Sequence, residues 1–260
     1  MKIYAVARVL DTEGTGLKAP PEDAVCEIGW CDVFATSKDK DGTPRRWVVD
    51  PAGPKGILVN PGRPMPYEAQ AVHHISDAEL ADAPTLAEAM ATVLSPHSYP
   101  NFDGPTPCAF VAHYAKHDRQ YIEPFTGSTP WICTERCAKH QWPGLSTYKN
   151  HAVRYWLNVR DFDMAKAMPM HRAPGDAYTT AVIFRELMNV GKTGHTIERL
   201  VEGTKNPPLV VICPMGSDRG KPMEEVGSSF LRWMINNPDK CGEDLQFTAR
   251  YWLKSRGELL

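Results

Sequence analysis

No stretch of the sequence approaches the roughly 20 consecutive apolar residues that a membrane-spanning helix needs. The N-terminus also has no extended apolar signal region. These absences argue against a membrane span and lead to the expectation of a cytoplasmic protein. The seven cysteines, Cys26, Cys31, Cys108, Cys133, Cys137, Cys213 and Cys241, contain no Cys-x-x-Cys pair. Their odd number and spacing exclude a disulfide framework and a zinc ribbon, so they read as reduced core residues. Cys133 and Cys137, with His140 nearby, come nearest to a zinc cluster, but their helical spacing reads as a buried helix face. An excess of positive charge is missing too, since 29 Lys and Arg stand against 31 Asp and Glu. That excludes a broad basic footprint for coating nucleic acid. It leaves room for phosphate contacts from local basic groups such as Lys139, Lys149, Arg154, Arg160 and Arg172.

What the chain does have is a hydrophobic content of 42% and a charged content of 23% over 260 residues. This suffices for one large domain with a full core and a small appendage. Five residues stand out by their local context: Asp11, Glu13, Asp118, His171 and Asp176. Asp11-Thr12-Glu13-Gly14-Thr15-Gly16 closes an apolar run, 3–10, of strand length. Side chains two apart in a strand share a face, so Asp11 and Glu13 can converge on one cation. Asp118 follows a second apolar run, 108–112, where a strand passes into a helix. His171 and Asp176 bracket Arg172-Ala173-Pro174-Gly175, and the following residues, 177–188, are strongly helical in character. Taken singly, Asp118 and Asp176 also fit helix N-terminal carboxylates favoured by the macrodipole. Together the five suggest a metal site.

Reading along the chain, 24–34 and 47–49 form two further strands, and with the first they suggest an antiparallel meander. Helices are expected over 67–72 and 85–94, a strand over 108–112, a helix over 117–123 and a strand over 131–133. Three more helices follow, over 134–141, 146–157 and 174–188. Strands first and alternating elements afterwards imply an α/β fold, a mixed five-stranded sheet with helices on both faces. Residues 191–206 read as a polar linker. Beyond it, 208–213 reads as a strand and 230–234 as an amphipathic helix, a small C-terminal α+β module.

The three motifs resemble those of the DEDDh 3′-5′ exonucleases of the DnaQ-like superfamily: Asp-x-Glu, an Asp in the second motif, and His-x4-Asp in the third. Met215-Gly216-Ser217-Asp218-Arg219-Gly220-Lys221 resembles the Phe-Gly-Lys-x-Arg-Gly element of the exonuclease X-like branch. The resemblance implies a ribonuclease H-like fold over 1–190, a linker over 191–207 and a C-terminal module over 208–260. It implies two divalent cations, Mg²⁺ or Mn²⁺, with Asp11, Glu13 and Asp176 holding one and Asp11 with Asp118 the other. His171 is then the general base that takes the proton from the attacking water. The implied substrate is a nucleic-acid 3′ end, DNA ahead of RNA and single-stranded or frayed, releasing nucleoside 5′-monophosphates. By the same resemblance Gly14, Thr15, Gly16 and Leu17 approach the terminal nucleotide, with Leu17 as an apolar wedge. His73 and His74 lie in a segment like the family's His-x-Ile-Thr. Tyr114 stands where the family carries Asn, and His117 where it carries Phe or Tyr. His113, Tyr114 and His117 are therefore candidates for nucleotide contacts or extra proton chemistry, and Arg172 is a candidate substrate contact through its charge. An RNA-directed exonuclease and a nucleic-acid-binding accessory protein remain the alternatives, and no oligomeric state follows.

Overall fold

The computed structural model describes residues 2–95, 107–191 and 194–258. Strand β1 (Ala5–Gly14) is buried on both faces through Leu10, as a central strand requires of an apolar run. Ala5, Ala7 and Val9 join one core with Cys31, Val33 and Ala35. Leu10 joins a second with Ile28, Trp30 and Phe110 on the opposite face. Strand β2 (Val25–Lys38) runs antiparallel to β1 and sets Asp11 against Gly29 and Glu13 against Glu27. Strand β3 (Pro44–Val49) pairs antiparallel with the far half of β2 and completes the expected meander. Strands β5 (Ala109–Ala112) and β6 (Trp131–Cys133) extend the sheet in parallel on the other side of β1.

The sheet has a sixth strand where five were expected. Strand β4 (Lys55–Leu58) pairs with the near half of β2, off the path β3-β2-β1-β5-β6. It is four residues long, nowhere fully buried and contains Gly56, so no apolar alternation announces it.

Helices cover both faces. Helix α3 (Leu86–Val93) and α4 (Lys116–Thr126) supply Met90, Val93, Tyr121 and Ile122 to the core around Leu10. Beneath α3, Arg8 and Asp32 form a buried ion pair at 2.8 Å, and Arg8 also donates to the Val93 carbonyl. On the other face lie α5 (Thr134–Gln141), α6 (Asn150–Leu157) and α7 (Ala173–Met188). Helix α7 is the central one, with Ala177, Ala181, Phe184 and Leu187 fully buried. Its first turn lies directly on the sheet, because a Cβ on Gly29 would fall 2.1 Å from the Ala173 carbonyl carbon. Gly56 makes room for Pro174 in the same way, its Cβ position lying 2.3 Å from the proline Cγ. Two glycines on adjacent strands thus let the start of α7 reach the level of Asp11. The short helices α1 (Tyr67–His73) and α2 (Asp77–Leu80) pack against the end of β2, through Ile75 and Leu80 on Cys26.

The expected linker carries structure of its own. Helix α8 (Ile197–Lys205) places Leu200 in the main core, and Cys137 donates from its thiol to the Leu200 carbonyl. Positions 192 and 193 of that segment lie outside the described residues. The expected strand over 208–213 does not form. What remains is an isolated bridge between Ile212 and Pro222, closed by hydrogen bonds that Cys213 exchanges with Lys221 and Gly220. Helices α9 (Ser228–Asn236) and α10 (Glu243–Ser255) make the module mostly helical around Cys213, Met223, Leu231, Met234 and Leu253. The apolar stretch 208–213 fills this small core from a loop, since no neighbouring strand offers it a ladder.

Candidate active site

Strand β1 presents Asp11 and Glu13 on one face, at the end where Gly14 shifts the register against β2. Helix α7 brings Asp176 to them in its first turn. One carboxylate oxygen from each of the three lies within 4.8 Å of the others, the one such grouping of His, Cys, Asp and Glu among the described residues. Asp11 is held well above the ordinary carboxylate range, first by burial and then by the charges of Asp118, Asp176, Glu13 and Glu27. Glu13 is pushed up to about 8 by burial, with Asp176, Glu27 and Asp118 adding to it. Burial and clustered like charge both disfavour the ionised forms. Three hard oxygen donors with this excess of negative charge fit a divalent cation of the Mg²⁺ type.

Asp118, in the first turn of α4, stands apart from the three. It is 2% exposed, and its Oδ1 accepts a hydrogen bond from Thr12 at 2.9 Å. Thr12 points to the opposite face of β1 from Asp11 and Glu13, so this bond ties α4 to the motif from behind. Burial raises Asp118 to about 7 against the lowering pull of Thr12. Its charge still acts on Asp11, adding to the rise that burial causes there.

His171 precedes α7 in an exposed position, with φ of 58°. This left-handed backbone is uncommon for any residue with a side chain. No hydrogen bond among the described residues joins its ring to the carboxylates. Arg172 next to it is half-buried and clamps Glu27, its Nε lying 3.1 and 3.0 Å from the two carboxylate oxygens. Glu27 also accepts from the Ala173 amide at 2.9 Å, capping α7. Arg172 is therefore an ion partner of a buried carboxylate, and its Nε and one terminal nitrogen are occupied by Glu27. His113 is likewise occupied, its ring nitrogens lying 2.9 Å from Thr134 Oγ1 and 2.6 Å from the Tyr148 carbonyl.

His73 is buried and accepts at Nδ1 from the Ile75 amide. Burial lowers its pKa, while a hydrogen bond with the Gly14 backbone opposes the fall. It acts as a brace beneath the first motif, with no free polar edge for a nucleotide. His74, at the end of α1, remains exposed with φ of 61°. In the loop after β1, Thr15 donates to Asp23 at 3.0 Å and accepts from the Ala24 amide, which fixes the turn. Gly16 packs so tightly on Asp23 that a Cβ there would lie 2.5 Å from its carboxylate. That turn projects Leu17, 86% exposed, next to the carboxylates' end of β1. Tyr114, with φ of 57°, is also exposed, and His117 packs edge-on against Tyr121 as an aromatic would. Of the basic groups singled out, Lys139 pairs with Glu135 and Asp244, and Arg154 is buried over Tyr155 and Phe162. Lys149 and Arg160 stay exposed.

The RNase_T exonuclease family model matches residues 9–184, which contain all three motifs. The chain belongs to the exonuclease family. This exonuclease is 31% identical over 251 residues to exodeoxyribonuclease 10 of Escherichia coli (strain K12), covering 95% of the chain and 99% of the relative. It is 26% identical over 202 residues to the DNA polymerase III subunit epsilon of Treponema pallidum (strain Nichols), covering 72% and 79%. Among solved structures it resembles exonuclease X in complex with 5′ overhanging duplex DNA, with 27% identity, a TM-score of 0.55 and coverage of 76% and 99%. The nuclease domain of 3′hExo, a DEDDh family member bound to rAMP, shares the fold at 13% identity, with a TM-score of 0.56 and coverage of 74% and 96%. The exonuclease is thus a 3′-5′ hydrolase of the DnaQ-like superfamily with the ribonuclease H-like sheet.

Two parts of the exonuclease's site had no motif to announce them. Glu27 is one of two acids, with Asp32, inside the apolar run 24–34, and a charge at such a position signals a buried partner elsewhere. His151, whose Nε2 lies 2.8 Å from Asp176 Oδ1, has no such signal.

Proposed function

We propose that this exonuclease removes nucleotides one at a time from the 3′ ends of DNA and releases nucleoside 5′-monophosphates. The observation that carries the reading is the convergence of Asp11, Glu13 and Asp176 within 4.8 Å at the end of β1. Preference for DNA is supported by the 31% identity to an exodeoxyribonuclease along nearly the full length of both chains. The exonuclease X structure, matched at 27% identity, holds duplex DNA.

Asp11, Glu13 and Asp176 are assigned one Mg²⁺ or Mn²⁺, and Asp11 with Asp118 a second. Bound there, such cations would supply an acidified water and compensate the negative charge that develops during hydrolysis. His171 is assigned the role of general base, taking the proton from the attacking water. Its exposed place just before α7 keeps the ring in reach of solvent and of an incoming strand end. Leu17 lies against the terminal base, a contact that tolerates any base because each has an apolar face. His73 and the Thr15–Asp23 bond hold the turn that presents it.

Digestion of matched 5′-labelled DNA and RNA strands, single and duplex, with Mg²⁺ tests the reading. It predicts stepwise shortening from the 3′ end, faster on DNA. Faster shortening of RNA overturns the substrate assignment, and binding without cleavage in either Mg²⁺ or Mn²⁺ identifies an accessory protein instead.

A further inference from the structure

The three motifs leave out the side chain that actually touches Asp176. His151 opens α6 next to Asn150, and its Nε2 lies 2.8 Å from Asp176 Oδ1. Its other ring nitrogen, Nδ1, is buried and has no hydrogen-bond partner. Against a carboxylate, which only accepts, Nε2 carries the proton and Nδ1 is the bare acceptor. A ring held in this way, with its far nitrogen sealed from water, cannot relay a proton from a solvent molecule, which excludes it as a second general base. Asn150 reinforces the contact. Its Nδ2 donates to the Asp176 carbonyl at 3.2 Å and to Thr180 Oγ1 at 2.9 Å, so the start of α6 is fastened to the start of α7 at side chain and backbone.

The consequence concerns the carboxylate's freedom. Asp176 shares its surroundings with Asp11 and Glu13, and the like charges of this group repel one another. We propose that His151 is a positioning residue for Asp176. The Nε2–H bond fixes Oδ1, turns the other oxygen toward Asp11 and Glu13, and offsets part of the repulsion within the group. The inference rests on the reading of that group as a divalent-cation site. Groups that orient a metal's ligands typically set its affinity by 10- to 100-fold.

Calorimetric titration of Mn²⁺ into the full chain without nucleic acid tests this, with wild type, His151→Ala, His151→Gln, His151→Asn and Asp11→Ala compared. A glutamine places its amide nitrogen about where Nε2 sits, whereas asparagine ends short of it. The expected result is Mn²⁺ affinity weakened about 10- to 100-fold in His151→Ala and His151→Asn, and restored to within about threefold of wild type in His151→Gln. A purely structural role lowers the thermal stability of these variants while leaving affinity unchanged, and that result overturns the proposal. Equal weakening in Gln and Ala overturns it as well, since the hydrogen bond is then not what matters. Should the alanine variant fail to fold, the Gln against Asn comparison decides alone. Wild type that binds no Mn²⁺, or Asp11→Ala that binds as wild type does, refutes the cation site itself and is distinguishable from failure of the His151 role.

Discussion

Raising the pH of the metal-free protein from about 5 to about 8 is expected to weaken the fold, and a divalent cation is expected to cancel the loss. Glu13 moves from its ordinary 4.5 to about 8, through burial first and then the charges of Asp176, Glu27 and Asp118. Asp118 rises to about 7, through burial, and Asp11 also lies well above its usual range. An acid with a raised folded pKa holds its proton in the fold while the unfolded chain releases it. Its stability is therefore intact below the unfolded value and is lost as the pH climbs to the folded one. For Glu13 alone, about 1.4 kcal/mol per tenfold change in proton affinity sets a ceiling of about 5 kcal/mol. Water reaching this partly exposed side chain reduces that to about 2 to 3 kcal/mol. For a chain of this size, such a loss corresponds to roughly 5 to 10 °C in Tm. Circular dichroism melts across this pH range, in EDTA and in excess Mg²⁺, measure it. The metal-free Tm should fall toward pH 8, and Mg²⁺ should raise Tm more at pH 8 than at pH 5, because it binds the ionised carboxylates. A metal-free Tm that is flat or rises with pH, or an equal Mg²⁺ effect at both ends, refutes the reasoning.

Gly29→Ala forces a Cβ into the Ala173 carbonyl 2.1 Å away, so α7 must lift from the sheet. A loss of about 1 to 3 kcal/mol in urea unfolding is expected, with a disproportionate loss of cleavage as Asp176 withdraws from Asp11. Arg172→Ala leaves Glu27, 3% exposed, buried without its ion partner. Stability should drop by about 3 to 5 kcal/mol; a variant of normal stability with only a raised KM would identify Arg172 as a phosphate contact. Leu17→Ala removes an 86% exposed side chain, so unfolding should shift by less than about 0.5 kcal/mol. Its kcat/KM on DNA should fall about tenfold through loss of base contact.

How much of this could be read from the sequence depended on whether a residue's role is local. Asp11 and Glu13 share a strand face whatever surrounds them, and Asp176 is fixed by the proline and helical run that follow His171. The meander and α7 announced themselves through apolar runs and periodicity for the same reason. Strand β4 was silent because an exposed four-residue edge carries no alternation. The linker concealed α8, whose polar composition hides a single buried anchor, Leu200. The partners of Arg172 and His113 could not be read locally, because Glu27 and the Tyr148 carbonyl lie 145 and 35 residues away in the chain. His151 was invisible on the same ground, since only the packing of α6 on α7 brings it to Asp176.

The central claim is that the group of Asp11, Glu13 and Asp176 performs metal-dependent cleavage at a 3′ end. Its most direct test follows a DNA strand labelled at its 3′-terminal nucleotide, incubated with wild type, Asp11→Ala and Asp176→Ala in Mg²⁺, with circular dichroism to verify the fold of each. Wild type should release the label first, as a nucleoside 5′-monophosphate, and both variants should be folded and inactive. Label retained by wild type while the strand shortens from its 5′ end, or cleavage undiminished in both variants, would contradict the account.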